Sequence, residues 1–212
     1  MMRCLIPVHQ ELYPENSLKR AEKLCDEVIL LYIVDKKLMD KVQSEASYIL
    51  PSFALQNVEE FILNIHRQEA EKVKNSIRNI PVELRFVKGE YYESIEKEIL
   101  RHTPDILMTD SYLRGLVNLN VPVWIDRGGK IEECTMMVQS LRRIGKLKHA
   151  IEFAKNVCNR LGASFYIHYT HATEREVLEP LGRLVESPRG ELLVFLKGEL
   201  HKSPDDKSLL LI

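Results

Sequence analysis

The chain has 212 residues, 45% of them hydrophobic, and a formal net charge of −1 at pH 7. That is enough apolar material for one large domain or two small ones, and the balanced charge speaks against the basic stripe of a nucleic-acid-binding protein. The longest uninterrupted apolar run, Val28 to Val34, falls far short of the roughly 20 residues of a membrane-spanning helix.

Residues 2–8 read as a buried strand. A polar turn with Pro14 and a cap at Asn16 or Ser17 leads into an amphipathic helix over 17–26. Val28 to Val34, rich in β-branched residues, suits a parallel strand covered on both faces, which completes a β-α-β unit. Leu38, Val42, Ala46 and Ile49 fall at helical spacing until Pro51 intervenes. A longer helix is marked by Val58, Phe61, Ile62, Ile65, Val73, Ile77 and Ile80, and Pro81 closes it. Strand 82–87, a turn at Gly89, a helix bearing Ile95 and Ile99, and strands 106–109 and 121–125 follow.

After the turn Arg127-Gly128-Gly129-Lys130 the pattern begins again. Cys4-Leu-Ile-Pro-Val8-His9 returns as Cys134-Thr-Met-Met-Val138-Gln139, and Ala21-Glu-Lys-Leu-Cys25 returns as Ala154-Lys-Asn-Val-Cys158. Pro104-Asp-Ile-Leu-Met108 matches Gly190-Glu-Leu-Leu-Val194, and the same offset carries Val123-Trp-Ile125 onto Leu209-Leu-Leu211. Strand 134–139, helix 144–161 and strand 164–170 thus repeat the opening unit. A helix around Val177 to Val185 is expected next, aligned with the one around Ile95. The helix and strand at 54–87 then have no counterpart, so the second copy is a reduced one. The expected fold is α/β, two unequal doubly wound parallel-sheet units at 1–127 and 131–212.

In order and spacing these pieces resemble the universal stress protein family, whose fold is of the adenine nucleotide alpha hydrolase-like type. Cys4-Leu-Ile-Pro-Val8 looks like its first strand, and Ser17 to Asp35, Gly89, Asp105-Ile-Leu-Met108 and Val121-Pro-Val123 look like later signatures. The resemblance implies an acidic residue after strand one that meets adenosine, and a Gly-x-x-Gly loop followed by Gly-Ser that wraps phosphates. Glycines permit close backbone approach, and clustered amides stabilise anionic oxygen. Here the acidic position holds His9 in the first copy and Gln139 in the second. The connections 109–121 and 195–207 carry one glycine each, and Asp110 adds negative charge where a phosphate would lie. The expectation is a non-catalytic regulatory or scaffolding protein without cofactor, one that has lost ATP binding and acts through an unknown protein partner. The alternative is a binder of adenine nucleotide or another small ligand through an altered first-half loop, with His9, Val34, Thr109 and Asp110 at the crevice.

The resemblance also implies that the last strands of two domains pair antiparallel. Val121, Val123, Trp124, Ile125, Leu209 and Leu211 are therefore expected to join the halves as an intramolecular pseudo-dimer, with a homodimer of chains as a further possibility. The run Leu141 to His149 places positive charge at a helix start, against the macrodipole. It reads first as a solvated face, with an anion site at Arg142, Arg143 and Lys146 as the functional alternative. His168 and His171 point to opposite faces of a strand, so no metal site is expected. No nucleophile with an acid/base set is recognisable, so no enzyme is expected. The opening segment reaches Glu11 without the apolar region of a signal peptide, which points to the cytoplasm, and the four cysteines read there as free thiols.

Overall fold

A computed structural model describes residues 1–49, 51–141, 144–171, 174–200 and 204–212, with backbone alone at 52–56 and 144. The chain divides into two compact units, Met1–Asp105 and Ile106–Ile212. These units are defined by packing and have a boundary different from that of the halves expected from the sequence pattern, 1–127 and 131–212.

The first unit comprises β1 (Arg3–Val8), α1 (Glu15–Leu24), β2 (Glu27–Asp35), α2 (Lys36–Ser47), α3 (Ser52–Ser76), β3 (Val82–Gly89) and α4 (Tyr91–His102). Its strands run parallel in the order β3-β2-β1. The apolar run of β2 is buried from Val28 to Val34, as a strand covered on both faces must be. α1 buries Ser17, Leu18, Ala21 and Leu24 at helical spacing. α2 starts at Asp35, whose Oδ1 accepts from the amides of Lys37 (2.7 Å) and Leu38 (3.4 Å). Pro51, with φ −66°, precedes α3, which begins at Ser52, close to the expected position 54. α4 closes at Thr103 in a left-handed turn, φ 44°, just ahead of Pro104.

Two expectations fail in this unit: α3 ends at Ser76, with Ile77 already extended, and not at Pro81, and the cysteines are not all free. Cys4 and Cys25 are joined in a disulfide that ties β1 to the end of α1, whereas the sequence reads as four free thiols. Cysteine composition speaks only to the redox compartment. The bridge depends on two Cα atoms only 5.9 Å apart, which one-dimensional spacing does not reveal. Cys134 and Cys158 are free and buried.

The second unit comprises β4 (Ile106–Thr109), a 3-10 turn (Arg114–Asn118), β5 (Val123–Ile125), β6 (Glu133–Val138), α5 (Ile144–Leu161), β7 (Ser164–Tyr169), α6 (Arg175–Leu178), a 3-10 turn (Glu179–Leu181), β8 (Arg183–Val185), β9 (Leu192–Phe195) and β10 (Ser208–Leu211). Its strand order is β4-β5-β10-β9-β6-β7-β8. Neighbours are parallel except β5 and β10, which are antiparallel.

The helix expected around Val177 to Val185 is not formed as such. α6 is four residues long, Pro180 and Gly182 interrupt it, and Arg183–Val185 becomes a strand beside β7. β8 therefore stands next to β7 as β3 stands next to β2, so the strand at 82–87 does have a counterpart. The shortening falls elsewhere. No helix separates β8 from β9, and α6 stands where the first unit has the long pair α2 and α3.

Candidate functional site

In parallel α/β sheets, ligands sit beyond the carboxyl ends of the strands. At the ends of β1 and β2 a cavity of about 310 Å³ is lined by Val8, His9, Gln10, Tyr13, Tyr32, Glu69, Lys72 and Val73. His9 is buried, and its ring meets the Tyr91 ring edge-on at 5.8 Å. Its Nδ1 accepts from the Glu11 amide at 3.3 Å, so the proton belongs on Nε2, which faces Asp35 Oδ2 at 3.7 Å. Val34 is buried in β2 beside Asp35. Asp35 thus caps α2 with one oxygen and meets His9 with the other.

Behind this wall lies a polar relay that the sequence reading does not identify. Tyr32 Oη donates to Glu69 Oε2 at 2.9 Å. His66 Nδ1 is 3.1 Å from Tyr32 Oη, and His66 Nε2 is 3.4 Å from Gln10 Nε2. One arrangement satisfies all three contacts: Gln10 donates to Nε2, Nδ1–H donates to Tyr32, and Tyr32 donates to Glu69. Burial, reinforced by the hydrogen bond to Glu69, pushes the Tyr32 phenol far above the ordinary tyrosine range, so it remains a donor. His66 is buried on the stripe that it shares with Ala70, Val73 and Ile77. A histidine in an apolar stripe at helical spacing was the available signal.

Thr109 and Asp110 follow β4 in the second unit. Thr109 is buried, its hydroxyl accepting from the Ser111 amide at 3.4 Å and its carbonyl from the Asp126 amide at 2.8 Å. The Asp110 carbonyl accepts from Arg127 at 3.2 Å. The connection from here to β5 is folded around apolar side chains. Leu116, Leu119 and Val121 are buried, and Lys197 donates its ammonium to the carbonyls of Leu119 and Val121. An anion cradle needs amides turned inward; here carbonyls are turned towards a cation.

Val123, Trp124 and Ile125 pair with Leu211, Leu210 and Leu209, and all six are buried. The Arg127 amide extends the ladder to Ser208 Oγ at 3.0 Å. Arg142 and Arg143 lie outside the described residues, and Lys146 is exposed on α5. His168 Nδ1 lies 3.2 Å from the Val185 carbonyl, while His171 stands apart at a second crevice. That crevice, about 610 Å³, opens where β6, β7 and β9 end and is lined by Gln139, Ser140, His171, Glu174 and Leu196 to Glu199. Among the described residues no three His, Cys, Asp or Glu side chains could jointly hold a metal ion. None of the described helices is long and apolar enough to cross a membrane.

A universal stress protein from Archaeoglobus fulgidus superposes with a TM-score of 0.62 at 14% identity, over 99% of this chain and 95% of that one. The fold is that of the universal stress proteins. Two hypothetical proteins of known structure are less similar. One has a TM-score of 0.44 at 19% identity over 59% of this chain and 96% of its own. The other, whose biochemical function was assigned from its structure, has 0.34 at 15% over 80% and 96%. No protein-family model and no curated protein matches the sequence. Within the universal stress protein fold, the two crevices of this chain stand at the strand ends where such sheets place their ligands.

Proposed function

We propose that this chain is a non-catalytic regulatory or scaffolding protein of universal stress protein type, a tandem pair of halves that has given up ATP and works through protein contacts. The observation that carries this reading is the connection between β4 and β5. Leu116 and Leu119 fill it, and it offers carbonyls to Lys197. His9 in place of an acidic side chain removes a second element of nucleotide recognition. The antiparallel pairing of β5 with β10 supports an intramolecular pseudo-dimer of the halves 1–127 and 131–212. A surface for a partner protein is offered by Tyr48, Ile49, Phe61 and Ile65, large apolar side chains exposed along the excursion that contains α2 and α3.

Titration calorimetry of the full chain with ATP, ADP and AMP tests the central claim. No saturable heat is expected at concentrations up to hundreds of micromolar. Micromolar affinity for any of the three would overturn it.

A second reading has its own support. The cavity beside His9 is of ligand size, with the apolar walls of Val8 and Val73 and a few polar groups at Gln10, Glu69 and Lys72. In that reading the first unit holds a small molecule at the ends of β1 and β2, against His9 and Tyr32.

A further inference from the structure

The second unit carries a crevice of different chemistry. β6 lies between β9 and β7, all three parallel, and the crevice opens beyond their carboxyl ends, which is the switch point of this part of the sheet. Its walls are polar: Gln139 and Ser140 follow β6, His171 and Glu174 follow β7, and Leu196 to Glu199 follow β9. Glu174 is 7% exposed, yet its Oε2 has no hydrogen-bond partner among the described residues. It precedes α6 without capping it through the side chain. A buried carboxylate oxygen left without a donor is costly, and native proteins seldom keep one without a use for it.

We propose that this crevice binds a small polar molecule bearing a primary ammonium group, with Glu174 as the anchor for the ammonium and Gln139 and His171 as partners for its hydroxyl groups. Hydrogen bonding and charge argue for this class. An ionised carboxylate accepts and does not donate, so the ligand must bring the donor. A metal ion would need several ligands at once, and no such cluster exists among the described residues. Lys197, which also lines the crevice, does not compete for Glu174, because its ammonium is held by the carbonyls of Leu119 and Val121. Phosphate-bearing ligands are disfavoured by the two carboxylates, Glu174 and Glu199, on the walls. The inference is independent of the reading of the first unit.

The test uses ethanolamine as the probe on the full-length protein, followed by amide chemical shifts, with ethylene glycol as its uncharged analogue and adenosine as a competitor class. Ethanolamine is expected to give saturable shifts at Gln139, Ser140 and Gly198 in the millimolar range, and ethylene glycol none. Glu174→Gln is expected to weaken binding at least tenfold; should that variant not fold, Glu174→Asp serves, with a smaller loss expected. Absent shifts, shifts scattered over other acidic surfaces, equal binding by the variant, or tighter binding of adenosine would each overturn the proposal.

Discussion

Gly190 shows how one backbone position sets a strand's path. Its φ is +80°, and a Cβ placed there would stand 2.2 Å from the Glu133 carbonyl oxygen, a backbone atom that cannot swing aside. Gly190→Ala therefore combines a left-handed penalty with a clash, and we expect it to destabilise by about 3 kcal/mol. A lower urea midpoint at unchanged slope would register this, and an unchanged midpoint would contradict it. Lys197 makes a different point. Burial lowers its pKa to about 8 from an ordinary value of 10.5. Between those limits the unfolded chain keeps a proton that the folded chain has lost, so this group makes stability rise with pH across about 8 to 10.5. Denaturation profiles of the wild type and Lys197→Met should diverge in that window and nowhere below it.

Among the elements, the pairing of β1 with α1 is reinforced covalently while its counterpart is not. Cys4 and Cys25 are bridged across 21 positions. Cys134 and Cys158, which open β6 and lie in α5 at the repeated positions, remain thiols, and a hydrogen bond to Cys134 together with burial pushes the Cys158 thiol far up. A closed loop of this length restricts the unfolded chain by about 3 kcal/mol. Reductant, or Cys4→Ala with Cys25→Ala, is expected to lower urea stability by about that amount. Thiol titration of the denatured protein should count two groups before reduction and four after. Four beforehand would dismiss the bridge.

For the molecule as a whole, the terminal strands matter most. β5 and β10 have apolar sequences that would invite pairing between chains if left open. They pair with each other, and each has a parallel neighbour on its other side, β4 and β9. These strands therefore offer no free edge to a second copy. Sedimentation equilibrium at tens of micromolar is expected to give the mass of a single chain. A dimer would mean that the internal pairing does not replace association between chains.

The α/β alternation, the buried run of β2, the long helix α5 and the apolar character of β5 and β10 follow from residues within a few positions of one another. Strand and helix periodicities are local, so these features were legible in the sequence. That the connections after β4 and β9 carry one glycine each is likewise a local fact of the sequence. Other features depend on partners far apart in the chain. Tyr32 meets His66 across 34 positions, Cys4 meets Cys25, and Arg183–Val185 is a strand because β7 lies beside it. Glu174 has no local mark at all. Its Oε2 becomes informative only when packing buries it with no hydrogen-bond partner among the described residues, because burial and hydrogen bonding are properties of three-dimensional surroundings.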